Sequence, residues 1–201
     1  MSAIILMWNP DISSYTKEHF EKDLNEFNTI DEDWYNWSVW EHEKVEESND
    51  FYLVRVGKGN TGIVMSGTVI SEPYLDNDWS GKARKTYYVD LDPDVLIDSD
   101  KVRTLTTEEL EHAIPNFNWQ GGHSGRMLNE KDSQILKDLW TEFIERNLSV
   151  FEEGKYAKKR EWIYDEDEDI EDEDIEDDDI EDDDYEDEDN ENNGNYYYVT
   201  E

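Results

Sequence analysis

The sequence predicts an α+β protein: a small β-barrel with helices at its rim, a long helix near the end of the folded body, and an acidic tail beyond it. Three observations carry that expectation. The runs Phe51–Val56 and Gly62–Ile70 are apolar and β-branched, and the polar, glycine-bearing Gly57-Lys58-Gly59-Asn60 between them suits a hairpin loop. Ile135, Leu136, Leu139, Trp140, Phe143 and Ile144 recur at helical spacing. Of the 55 acidic residues, 24 fall in 161–201, a stretch without a single Lys or Arg. The chain therefore divides into a globular body, 1–160, and a disordered, low-complexity acidic tail, 161–201.

The elements follow in order. Met1-Ser2-Ala3-Ile4-Ile5-Leu6-Met7-Trp8 reads as a buried first strand, and Asn9-Pro10-Asp11-Ile12-Ser13-Ser14-Tyr15 as a turn-rich linker. Thr16 caps a helix over Lys17–Phe27 whose inward stripe is Phe20, Leu24 and Phe27. Asp31–Trp40 holds three tryptophans and a tyrosine, and Trp37-Ser38-Val39-Trp40 suits either a short strand or an aromatic loop. In the hairpin, Gly62 and Gly67 are placed for bulges or bends that curl a sheet, and Pro73 ends the second strand. Leu75–Arg84 reads as a polar loop around Trp79, and Lys85–Ile97 as another long strand. Thr106 caps a short helix that Pro115 stops. Asn116–Leu128 is irregular, with a strand at its end, Arg126–Leu128; Asn129 then caps one helix from Glu130 to Glu153. Lys155–Arg160 closes the body with four basic residues. In the tail, Ile170, Ile175, Ile180 and Tyr185 recur every fifth residue among acids, a period that builds no apolar helix face.

Charge and composition exclude several classes. The body holds 18 basic against 31 acidic residues, a net −13 of the chain's −37, which argues against strong non-specific duplex binding driven by phosphate neutralisation. Cysteine is absent, so there are no disulfides and no thiolate metal sites. The N-terminal apolar run is too short for a membrane span and lacks a basic n-region. Together these predict a cytoplasmic protein with no membrane association and no cofactor. His123 in Gly121-Gly122-His123-Ser124-Gly125-Arg126 is not part of a nucleophile elbow, because Arg126 stands where that motif needs glycine; the segment reads as a structural turn. His19, His42 and His112 have no zinc-ligand spacing. No nucleophile–base pair or metal set is found, and the expectation is a protein that is not an enzyme.

Several stretches carry a family resemblance. Ile4–Pro10 is a strand ending in an aromatic and a proline; Ser14–Phe20 opens a hydroxyl-capped helix; Phe51–Val56 with Gly62–Tyr74 contains the run G-I-V…G…V-I-S-E-P-Y; Tyr87–Leu91 and the glycine-containing turn Gly122–Leu128 follow. In this order, across about residues 3–145, they resemble the EVE branch of the PUA-like superfamily, whose relatives include ASCH and YTH domains. Two stretches depart from that pattern: Ser48-Asn49-Asp50 stands where a GD-type turn is usual, and the segment before the hairpin is rich in tryptophan. The resemblance implies a small mixed β-barrel of PUA-like type with rim helices and a pocket for a modified nucleobase. Such a base is stacked on aromatic rings and read on its edge by a few hydrogen bonds.

The aromatic candidates for that pocket are Trp8, Trp37, Trp40, Tyr52 and Trp79; Asn9, Ser38 and Ser66 are candidates for edge readout. Each tryptophan has a plain alternative in the core, most of all Trp8, which closes an apolar strand; Trp79 stands among Asp, Asn, Ser and Gly, where nothing local buries it. Lys58, Lys82, Arg84, Lys85 and Arg126 are candidates for phosphate contact, with ordinary solvated surface as the competing reading. The expected function is a non-enzymatic module that binds a modified base in DNA or RNA. The alternative is an acidic interaction protein, or nucleic-acid mimic, whose tail engages a basic protein partner or the body's own basic patch.

Overall fold

The computed structural model describes residues 2–27 and 35–160, within the compact unit Met1–Trp162. The acidic tail 161–201, expected to be disordered, lies outside the described residues, as does Trp34.

The chain opens with β1 (Ala3–Trp8) and α1 (Lys17–Glu26). Thr16 caps α1 by accepting from the His19 N–H, and the His19 side chain faces the Thr16 N–H in return. Next come β2 (Tyr35–Ser38), a 3-10 turn at His42–Lys44, and the hairpin strands β3 (Asp50–Arg55) and β4 (Gly62–Val69). They are followed by β5 (Tyr74–Asn77), β6 (Lys85–Ile97), α2 (Thr107–Ala113), β7 (Arg126–Met127), α3 (Glu130–Arg146), α4 (Leu148–Glu153) and β8 (Ala157–Lys159).

The result is a mixed α+β architecture around one curled, half-barrel sheet, ordered β2-β6-β4-β3-β1-β7. β1 runs parallel to β3, a pairing that needs a crossover, which α1 supplies; β3, β4 and β6 are antiparallel neighbours. The thirteen-residue β6 is the spine, with β4 and β5 along its length and β2 and β8 also paired to it. β2 and β7 end the order without pairing to each other. Backbone bonds beyond them draw the two ends together: Trp40 N–H to the Ser124 carbonyl (3.0 Å), Glu41 N–H to Gly125 (2.9 Å), and Gly125 N–H to Ile5 (3.0 Å). Only glycine fits at 125, since a Cβ there would lie 2.3 Å from the Val39 Cα.

Both faces of the sheet are covered, which is why β1 reads as an unbroken apolar run rather than an alternating one. Ile4, Leu6 and Trp8 pack with Phe20, Leu24 and Phe27 of the α1 segment; Ala3 and Ile5 pack with Leu110 of α2 and Leu136, Trp140 and Phe143 of α3. Arg55, buried at the end of β3, meets Asp100 at 2.8 Å and the Ser99 hydroxyl at 2.9 Å, and Lys17 reaches the same Asp100, tying the first turn of α1 to the sheet.

Two expectations are corrected, and one element is added. Tyr74–Asn77 is a strand rather than loop, because Tyr74 stands opposite Tyr88, with ring centroids 6.4 Å apart, and its hydroxyl donates to Asp90 at 2.6 Å. The helix expected from Glu130 to Glu153 is broken at Asn147, whose side-chain amide donates to the Phe143 carbonyl (2.7 Å) and displaces the helical bond. The basic closing segment adds a strand, β8, to the edge of β6.

The curl has a local cause at Gly67. The pairing of β4 with β6 shifts register between Ser66 and Gly67, and a Cβ on Gly67 would lie 2.0 Å from the Asp92 carbonyl and 2.7 Å from the Pro93 Cα. Gly67→Ala is expected to destabilise the body by about 3 kcal/mol, since backbone on both sides must move. Urea unfolding measures it, as a lowered midpoint at unchanged m-value; an unshifted midpoint would contradict the close approach.

Candidate functional site

At one mouth of the curl lies a cleft of about 940 Å³. Its walls come from the β1–α1 linker, β2 and Trp40 beyond it, the end of the β3–β4 hairpin, the β5–β6 loop, and the segment Gln120–Ser124. Far-separated parts of the chain meet here because the strand ends of the curl converge on one rim.

The floor is an aromatic cluster centred on Tyr15. The Trp37 and Tyr35 rings stand edge-on to it, with centroids 5.8 and 6.3 Å away. The Tyr15 hydroxyl donates to Asp23 at 2.6 Å, and burial together with that carboxylate pushes its phenol far above the usual range. Trp37 is pinned by an indole N–H bond to the Ser124 hydroxyl (2.9 Å), which also accepts from the Met7 N–H (2.9 Å). On the rim, Trp40 is 60% exposed and lies flat on His123, with centroids 3.8 Å apart and planes 7° from parallel. Trp79, 49% exposed, is carried by the β5–β6 loop. Among the described residues five large hydrophobic side chains are exposed, and three of them, Ile12, Trp40 and Trp79, line this one cleft.

Of the residues singled out from the sequence, the structure gathers Asn9, Trp37, Ser38, Trp40, Trp79, Arg84 and Lys85 on the cleft wall. Trp8, Tyr52 and Ser66 lie elsewhere. Trp8 is buried beneath the floor, stacked on Phe20 at 5.1 Å with its indole N–H donated to the Tyr15 carbonyl (2.7 Å). Tyr52 and Ser66 are cross-strand partners and so share a face, but it is the face that α3 covers. The Ser66 hydroxyl accepts from the Trp140 indole (2.9 Å), and Tyr52 stands edge-on to the same ring. Lys58 and Lys82 are exposed in loops outside the cleft lining.

Arg126 has another role than phosphate contact. Its guanidinium donates to the carbonyls of Asn118 (2.8 Å), Gly121 (3.0 Å) and His123 (3.0 Å) and sits 4.1 Å over the Phe117 ring. It organises the loop that places His123 under Trp40. Sequence reasoning missed Ile12, Tyr15, Tyr35, Tyr88 and Asp78 as part of the site. Only Asp78 carried a local signal: Asp-Trp-Ser-Gly is turn chemistry, in which a carboxylate takes the amide two residues on.

The lining is electrostatically unlike the rest of the body. Among the described residues its sole carboxylate is Asp78, which Arg84 engages, while Arg84 and Lys85 supply cations. Among the described residues no group of three His, Cys, Asp or Glu side chains is arranged to hold a metal ion, and no helix is long and apolar enough to cross a membrane.

No protein-family model matches this sequence, and neither does any curated protein. Similar solved structures exist. A hypothetical protein from Leishmania major aligns over 71% of this chain and 96% of its own, at 12% identity and a TM-score of 0.46. The YTH domain of Mmi1, solved with RNA, aligns over 79% of this chain and 84% of its own, at 10% identity and a TM-score of 0.41. The YTH domain of the Zygosaccharomyces rouxii MRB1 protein, solved with N6-methyladenosine RNA, aligns over 69% and 86%, at 14% identity and a TM-score of 0.38. Likeness at this level carries no information on ligand.

Proposed function

We propose that this protein is a non-enzymatic binding module that takes a modified nucleobase from a DNA or RNA strand into the cleft. The observation that carries the proposal is the concentration of exposed tryptophan in a cleft where, among the described residues, the only carboxylate is already engaged by an arginine. A nucleobase is flat, so it is held by ring faces; Trp40, backed by His123, and Trp79 offer them. Its edge is polar and specifies by hydrogen bonds, for which Asn9, Asn36 and Ser38 stand on the wall. Lys85 and Arg84 on the same wall suit the flanking phosphates. Binding through one base and few phosphates is compatible with a body of net −13, whereas tracking a duplex is not.

Anisotropy titration tests the reading with labelled nine-nucleotide RNA and DNA strands, unmodified or carrying one N6-methyladenosine or one 5-methylcytosine. The expected result is one modified strand bound at least about tenfold tighter than its unmodified counterpart, a discrimination of roughly 1.4 kcal/mol. Equal, millimolar-weak binding of every strand would overturn it.

A further inference from the structure

The loop that carries Trp79 has no hydrophobic support of its own: residues 79–85 are all solvent-exposed. It is nevertheless tied down, and the ties converge on one carboxylate. The Asp78 side chain, 1% exposed, accepts from the Ser80 N–H (2.9 Å), the Ser80 hydroxyl and the Arg84 Nε. Its backbone completes the closure, donating to the Arg84 carbonyl at 3.0 Å and accepting from Gly81 N–H at 3.1 Å. The Ser80 hydroxyl first, and then Arg84, hold the Asp78 carboxyl down to about 2, so it is fully charged at neutral pH. The Trp79 amide next door donates to the Tyr88 hydroxyl (2.9 Å), which donates onward to the Asn77 carbonyl (2.9 Å).

We infer that Asp78 is a positioning residue that fixes the presentation of Trp79 at the cleft, while its own carboxylate is consumed within the loop. An exposed ring on an unsupported loop would pay its ordering entropy at the moment of binding; on a loop already closed around Asp78 that ordering precedes the ligand. The inference rests on Trp79 being a stacking surface, and its test separates the two ideas.

The ligand-free measurement uses protein labelled with 5-fluorotryptophan, in which the Trp79 fluorine line is identified by its loss in Trp79→Phe. In Asp78→Ala that line is expected to sharpen and move toward the position of free tryptophan, with the lines of buried Trp119 and Trp140 unmoved. Asp78→Asn keeps an acceptor for Ser80 but loses the charge facing Arg84, and should fall between. A Trp79 line that stays in place in Asp78→Ala overturns the inference, whatever the protein binds. The second measurement is a double-mutant cycle on the nine-nucleotide N6-methyladenosine RNA. Asp78→Ala is expected to weaken binding about three- to tenfold in the parent and not at all in Trp79→Ala. A loss that persists in Trp79→Ala would assign the effect to an Arg84 no longer held in place on the cleft wall and overturn the inference. Should the parent bind another of the nine-nucleotide strands instead, the cycle is run on that one; absence of binding to all of them would count against the nucleobase reading, and the fluorine line would still decide the role of Asp78.

Discussion

Replacing Trp40 and Trp79 together by alanine is expected to lower affinity for the bound strand by roughly 10²-fold while leaving thermal stability nearly unchanged. Stacking is worth about 1–3 kcal/mol per base, or roughly 5- to 150-fold in a dissociation constant. Both residues are about half exposed or more, so the buried area lost when they go is modest. Trp40 should carry the larger share. His123 covers one of its faces at 3.8 Å, and the segment bearing His123 is itself held by three bonds from Arg126, so the free face is ready for a ligand without rearrangement. Trp40→Phe, which keeps a ring but less stacking area, should lose only a few-fold. Trp37→Ala makes the contrast: its indole is bonded to Ser124, so that change should lower the melting temperature as well as affinity. Anisotropy titration beside thermal unfolding reads both quantities. A folded double variant that binds as tightly as the parent would remove the cleft from consideration as the binding site.

Trp119→Ala is expected to be the most damaging single change to the body, at about 3–5 kcal/mol. Trp119 is 0% exposed, the largest fully buried side chain among the described residues, and packs against Phe117 at 4.6 Å. Its indole N–H donates to the Ile114 carbonyl (3.0 Å), where α2 ends, so truncation opens a cavity and orphans a buried acceptor together. Against a total stability of about 5–15 kcal/mol for a domain of this kind, that is a large fraction. The damage should also reach the cleft, because Phe117 and Trp119 root the loop that runs through Gln120 to His123. Urea unfolding gives the first quantity. Trp119→Phe, which keeps most of the volume but no donor, should recover more than half of the loss; equal loss in the two variants would assign the whole effect to the hydrogen bond.

Periodicity made much of this fold legible. β6 spans Lys85–Ile97, as expected from the sequence, and the capped starts of α1, α2 and α3 follow directly from Thr16, Thr106 and Asn129. β5 was hidden because its second half, Asp76 and Asn77 opposite Thr86 and Lys85, is made of poor strand formers, and only Tyr74 and Leu75 stand opposite tyrosines, Tyr88 and Tyr87. The break at Asn147 depends on where one amide side chain turns, which no helical stripe records. The cleft was legible only in part, for a related reason. Trp37 and Trp40 are three residues apart and look alike in the chain, yet one is pinned into the floor by Ser124 and the other left on the rim by His123. Their fates are set by partners more than eighty residues away. Tyr52 and Ser66 were misplaced on a simpler ground: a hairpin shows which residues share a face, and not which helix later covers it.

The seam between the Trp40 and Ser124 segments also bears on how the protein matures. The bonds that the Ser124 hydroxyl makes to Trp37 and Met7 join residues 87 and 117 positions apart, so they close very large loops. Contacts of that span are the slowest to be won from an unfolded chain. A collapsed body whose hairpin and helices have formed, but whose 118–125 segment is still undocked, would carry both tryptophans and discriminate nothing. On the proposed function, recognition would then require the 118–125 segment to be docked, wherever in folding that step falls.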